Sequence, residues 1–114
     1  MPQISVDHSP SPGFDRRAFA AELHPLVAAV IGTTVESCKT RFRAAEETFV
    51  GDGDPACATV YLELKILAGR SPETRTELSE AVLDLLKRHV GAGPVHLAVN
   101  VVELDGAVYR SAAL

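Results

Sequence analysis

Ile4 and Val6 alternate with Gln3, Ser5 and Asp7, and this two-residue period predicts a short strand at the start of the chain. Ser9-Pro10-Ser11-Pro12-Gly13 is a turn-rich break. From Asp15 to Ile31 the period lengthens: Phe19, Leu23, Leu26, Val27 and Val30 recur at three to four residues, as one face of a helix requires. Pro25 interrupts that helix and predicts a kink or a poorly satisfied turn, and Gly32 is the expected stop. Residues 37–43 alternate again, with Cys38, Thr40 and Phe42 on one side and Lys39, Arg41 and Arg43 on the other. Gly51-Asp52-Gly53-Asp54-Pro55 reads as a solvated loop, since it lacks the ligand series of a calcium loop.

The second half follows the same plan. Thr59 to Ile66 alternates, with Val60, Leu62, Leu64 and Ile66 on one face. Ser71 is an N-cap, Pro72 suits the first helical position, and Glu73 suits the positive end of the helix dipole. The helix should run to about Val90 along Leu78, Val82, Leu85, Leu86 and Val90, with Gly91 ending it. Val95 to Leu104 is a last strand, followed by a turn at Asp105-Gly106 and a short tail.

Strand–helix–strand therefore occurs twice, with little residue identity between the halves. Each crossover helix implies a parallel strand pair with a right-handed connection. The expected fold is α+β: two β-α-β units forming one four-stranded mixed sheet with two helices on one face, in a single domain over residues 1–114.

Composition changes this picture little. The chain is 46% hydrophobic and 23% charged, ordinary for a soluble globular protein. A net charge of -4 argues against nucleic acid or an anionic membrane as partner, so any basic site must be local. Cys38 and Cys57 form no CxxC, and no histidine stands at zinc-finger spacing from them, so buried reduced thiols are expected. His8, His24, His89 and His96 are scattered without metal spacing, and His8 is expected at the surface or an interface. No basic n-region with an apolar h-region opens the chain, and no apolar run reaches the ~20 residues of a membrane span. A cytoplasmic location is expected.

Chemistry enters at Pro2. A methionine before proline is normally removed, and the exposed secondary amine can act as a general base if its pKa falls near neutrality. Burial and nearby cations both lower the pKa of an amine. Lys39 and Arg41 lie two residues apart on a strand, about 6.5 Å between Cα atoms on one face. Arg70 stands at a strand-to-helix junction, beside helix amides that favour anions. Taken alone, Lys39-Thr40-Arg41-Phe42-Arg43 also fits the solvated face of an edge strand, and Gly69-Arg70-Ser71 also fits a tight turn with a helix cap.

Pro2, the doubled β-α-β plan and the chain length together resemble the tautomerase superfamily, whose fold is that of macrophage migration inhibitory factor. Leu64-Lys65-Ile66-Leu67-Ala68-Gly69-Arg70-Ser71, followed by Glu73 and Arg75, is similar to the same stretch in the 5-carboxymethyl-2-hydroxymuconate isomerase family. Cys38-Lys39-Thr40-Arg41 falls where that family carries an Arg-Ser-Arg element, so Lys39 stands in place of an arginine. The tail after Leu104 is shorter than in that family.

The resemblance implies an isomerase of aromatic-compound catabolism, active as a homotrimer with sites near subunit boundaries. Pro2 would move a proton along an anionic unsaturated 2-hydroxy or 2-oxo polyacid. Lys39 and Arg70 would bind its carboxylates and developing oxyanion, Arg41 would either contact a substrate anion or form an intersubunit ion pair, and no cofactor or metal is implied. The alternatives are another tautomerase-superfamily activity, such as a phenylpyruvate-type tautomerase or a proline-dependent hydratase, and a trimeric scaffold without activity.

Overall fold

The computed structural model describes residues 1–10, 13–53, 57–91 and 93–114. Ser11 and Pro12 of the expected break, and Asp54 and Pro55 of the expected loop, lie outside these residues. In chain order the elements are β1 (Gln3–His8), α1 (Arg16–Ile31), a 3₁₀ turn (Val35–Ser37), β2 (Lys39–Ala44), β3 (Ala58–Leu67), α2 (Pro72–Val90) and β4 (Val95–Leu104). The strands form one sheet in the order β2-β1-β3-β4. β1 pairs parallel with β2 and β3 parallel with β4, each pair joined by its helix, while β1 and β3 meet antiparallel. The expected mixed sheet of two β-α-β units is the observed one.

Side-chain alternation divides the sheet into two faces. Ile4 and Val6 of β1, with Val60, Leu62, Leu64 and Ile66 of β3, are buried against Phe19, Leu23, Val27 and Ile31 of α1 and Leu78, Val82, Leu85 and Leu86 of α2. Both helices thus cover one face. Each such aliphatic or aromatic side chain contributes roughly 1.5–3 kcal/mol through removal from water. The opposite face carries Gln3, Ser5 and Asp7 of β1, Lys39, Arg41 and Arg43 of β2, and Tyr61, Glu63 and Lys65 of β3, in register across the strands. No helix among the described residues is long and apolar enough to cross a membrane.

Helix ends follow the residues that mark them. Asp15 caps α1 by accepting from the Ala18 amide at 2.9 Å, and Gly32 ends it in the left-handed region at φ 69°. The helix runs through Pro25. The missing N–H of Pro25 leaves the Ala21 carbonyl without its helical donor, but both residues lie on the exposed side, where the carbonyl is open to solvent. Ser71 caps α2 by accepting from the Thr74 amide at 3.1 Å, with Pro72 first in the helix and Gly91 beyond its last residue.

Polar contacts tie these layers together. His24 Nε2 and Thr40 Oγ1 lie 2.7 Å apart, linking α1 to β2, and burial lowers the His24 pKa. His89 of α2 packs edge-on against Phe19 and stands 3.4 Å from the Glu22 carboxylate of α1. His8 departs from the surface position expected of it. It is buried, donates from Nδ1 to the Ser9 carbonyl at 2.8 Å, and meets the Phe14 ring edge-on. The parity of β1 turns it to the helix side, and it ends the strand about 20 Å from Pro2. Both cysteines are free thiols; Cys38 is buried and Cys57 only half-buried.

These contacts rank two substitutions. Phe19→Ala opens a cavity where both helices meet the sheet and should cost about 3–5 kcal/mol. Ser71→Ala removes one capping acceptor and should cost about 1 kcal/mol. Urea unfolding at one fixed protein concentration measures both, and equal losses would contradict this account of the core.

Candidate active site

β1 brings the chain's amino end into the middle of the sheet. Pro2 is buried, and its carbonyl accepts from the Lys39 amide at 3.2 Å, extending the parallel β1–β2 ladder by one bond. On the other side Gln3 is opposite Lys65, so the antiparallel register carries Met1 toward Leu67 at the end of β3. The amine therefore lies between the first residue of β2 and the turn that leads from β3 into α2.

That position sets its electrostatics. The Met1 amine has its pKa lowered, chiefly by burial and then by the positive charges of Arg70 and Lys39, with a small opposing effect from Cys38. Burial pushes the Cys38 thiol up. The proline nitrogen is separated from the Met1 amine only by one Cα and one carbonyl carbon.

Each candidate cation is held by neutral groups. Lys39 Nζ donates to the Ser37 carbonyl at 2.9 Å and lies 4.0 Å from Met1 Sδ. Arg70 Nη1 donates to the Leu67 carbonyl at 3.2 Å and Nη2 to the Ile31 carbonyl at 3.3 Å. Arg70 thus stands at the expected junction between β3 and α2, with its guanidinium turned to the carbonyl end of α1. Arg41 Nη1 donates to Gln3 Oε1 at 3.0 Å, and Gln3 Nε2 donates to the Tyr109 hydroxyl at 3.0 Å. By contrast, Arg43 and Lys65 on the same sheet face pair with the Asp7 and Glu63 carboxylates at 2.9 and 3.4 Å. A cation held by a carbonyl or an amide keeps its whole charge for an incoming anion; one paired with a carboxylate does not.

Lys39 and Arg70 are therefore brought to the amine. Arg41 stands one row further along the helix-free face, and Arg43 belongs to a surface ion pair. Gln3 and Tyr109 have no counterpart in the sequence reading. Gln3 reads there only as the polar member of an alternating pair, and Tyr109 follows the last periodic strand, where no pattern indicates a fold-back. A separate groove of about 270 Å³ between α2 and β4, lined by Pro72, Arg75, Ser79 and Val99 among others, contains none of these residues. Among the described residues no group of three or more His, Cys, Asp or Glu is arranged to hold a metal.

The family model for 5-carboxymethyl-2-hydroxymuconate isomerase matches residues 13–109, most of the chain. A 5-carboxymethyl-2-hydroxymuconate Delta-isomerase from Escherichia coli is 32% identical over 72 residues, covering 63% of this chain and 57% of the isomerase. The aligned region is thus less than two thirds of that relative's length. Among solved structures, a 5-carboxymethyl-2-hydroxymuconate isomerase from Deinococcus radiodurans R1 superposes with a TM-score of 0.83 at 22% identity, over 97% of this chain and 88% of that one. A fused 4-OT wild-type symmetric trimer superposes with a TM-score of 0.71 at 19% identity, over 90% of this chain and 85% of that one. At these identities the two structures establish a shared fold.

The site geometry makes a titration prediction. Removing either neighbouring charge, by Arg70→Ala or Lys39→Ala, should raise the pKa of the Met1 amine toward the ordinary α-amino range, because the protonated form is then less repelled. Arg41→Ala should leave it in place. NMR titration of the amine in the unprocessed chain tests this, and one common pKa in all variants would remove the cations from its control.

Proposed function

The chain belongs to the 5-carboxymethyl-2-hydroxymuconate isomerase family, and from that membership we propose that it is an isomerase that shifts a proton along 5-carboxymethyl-2-hydroxymuconate or a similar unsaturated 2-hydroxy polyacid. The observation that carries this reading is the half-buried amine at the start of β1, beside Arg70 and Lys39, its pKa lowered by burial and by both charges. The family match begins at residue 13, beyond β1, so the role of Pro2 rests on this geometry.

Once Met1 is removed, the neutral Pro2 nitrogen accepts the proton of the substrate's 2-hydroxyl. The oxygen's electron pair forms the carbonyl, and negative charge spreads along the conjugated chain as a dienolate. The same proton then passes from the prolinium to a carbon further along, giving the 2-oxo product and restoring the free amine. One base of near-neutral pKa performs both transfers. Lys39 and Arg70 stabilise the charge that develops on the oxygen and adjoining carboxylate, while Arg41 holds a more distant carboxylate. Lys39, where the resembling family has arginine, offers a point charge in place of a bidentate fork. That difference is the observation favouring the second reading, a related tautomerase activity on a substrate with fewer carboxylates.

The proposed assembly is a homotrimer. Both sheet edges, β2 and β4, and the helix-free face beyond the Tyr109 contact are left uncovered by the described residues of one chain, and closure of copies around an axis removes such edges. The fused 4-OT structure of like fold is a symmetric trimer.

Ultraviolet assays on chain beginning at Pro2 test the mechanism. Pro2→Ala should lower kcat/KM steeply while Tm holds, and one residue added before Pro2 should lower it further. Arg70→Ala and Lys39→Ala should each lower kcat/KM by about tenfold to a hundredfold, the loss expected for one charge-assisted hydrogen bond to an anion. A normal rate from the extended protein would refute the base assignment. In the same preparations light scattering should give three times the chain mass; a monomer at micromolar concentration would refute the assembly.

A further inference from the structure

We propose that Tyr109, in the segment after β4, is a positioning residue that acts through Gln3 on Arg41 and so sets the preference for a substrate with a second carboxylate; this rests on the isomerase reading above. The chain leaves β4 at Leu104 and turns at Asp105, whose side chain accepts from the Ala107 amide at 2.9 Å and whose carbonyl accepts from Val108 at 3.2 Å. It then returns over the helix-free face. Gln3 lies beside Lys65, and Lys65 beside Val102, so Tyr109 reaches back across two strand spacings, about 10 Å, to meet Gln3. Val108 and the residues from Arg110 to Leu114 are exposed, whereas Tyr109 is half-buried.

The direction of the relay follows from the chemistry of its members. Arg41 can only donate, so the Gln3 amide must present its oxygen to Arg41 and its nitrogen to Tyr109. The Tyr109 oxygen must then accept, and it fixes the amide in that orientation. Without it the Gln3 side chain is free to rotate, and Arg41 loses its fixed acceptor. No carboxylate takes part in either contact, so the relay orients the guanidinium without cancelling its charge. On the same strand Arg43, oriented instead by the Asp7 carboxylate, shows the alternative arrangement. Arg41 stands about 6.5 Å along β2 from Lys39, a separation that suits the two ends of a short dicarboxylate.

The test uses Tyr109→Phe in chain beginning at Pro2, assayed on 2-hydroxymuconate and on a 2-hydroxydienoate lacking the distal carboxylate. KM for the dicarboxylate should rise about three- to tenfold, the value of one neutral hydrogen bond, with kcat within about twofold. The monocarboxylate KM should not move. In an Arg41→Ala background Tyr109→Phe should have no further effect, because its partner is already gone. Hexanedioate and hexanoate, which cannot isomerise, give the same comparison as dissociation constants read by NMR. Should the protein bind hexanedioate in a Tyr109-dependent way yet isomerise neither substrate, the relay stands and the isomerase reading falls. Normal turnover with an unchanged dicarboxylate KM in Tyr109→Phe overturns the relay alone. A Tyr109 effect that persists without Arg41, equal losses on both ligands, or no dicarboxylate binding by the parent chain overturns it as well.

Discussion

Hydrogen bonding on both sides of β1 is the constraint on which the rest of this molecule depends. A chain terminus is ordinarily among the most mobile parts of a domain. Here the first strand is internal, parallel to β2 on one side and antiparallel to β3 on the other. The parallel neighbour delivers the start of β2, and hence Lys39, to the amine. The antiparallel neighbour delivers the end of β3, and hence Arg70. A sheet with β1 at its edge would supply one cation or the other. Joining the two β-α-β units through their first strands supplies both.

Local charge then works against the overall balance. A chain with net charge -4 keeps anions away on average, yet the start of β1 is surrounded by charges that no carboxylate among the described residues pairs with. Main-chain carbonyls hold Lys39 and Arg70, and an amide holds Arg41. A neutral acceptor costs an arginine some freedom of rotation but none of its field. The carboxylates of this face are placed one row or more away, where Asp7 and Glu63 compensate Arg43 and Lys65. The same separation keeps the amine's protonated form disfavoured, since no carboxylate among the described residues stands beside it to support it.

Much of this fold was legible in the alternation of side chains, because burial on one face imposes a period that composition cannot hide. β3, α2 and β4 carry full-length patterns with caps at Ser71 and Gly91, and their bounds agree with the reading to within a residue. Two helical crossovers implied the two parallel pairs, but not the order β2-β1-β3-β4, which depends on β1 and β3 joining the units. Positions without a period were harder. His8 has the parity of the buried face, but a polar residue at a strand end is also consistent with exposure. Tyr109 follows a turn and precedes a polar tail, so nothing local marks its return to β1. Arg70 was placed at the right junction, but the direction of its guanidinium was not legible. Its acceptors are the Leu67 carbonyl and the Ile31 carbonyl 39 residues away, and only the tertiary fold brings the latter near.

Arg70 also shows why charge and structure cannot be separated at this site by one alanine. Its Nη2 donates to a carbonyl in the last turn of α1, where intrahelical donors run out and the helix dipole is negative. The guanidinium thus closes the end of α1, ties it to the β3–α2 turn, and charges the surroundings of the amine. An arginine bound to two carbonyls still has N–H groups to offer, because five donors share its plane. A lysine at 70 would retain the positive field but lose the paired hold on Leu67 and Ile31, whereas alanine loses both. If the field alone governs the amine, lysine preserves its lowered pKa while the end of α1 loosens. If orientation governs it as well, the pKa rises even with the charge retained. The main-chain acceptors are what make that distinction measurable, since they fix the guanidinium independently of any substrate.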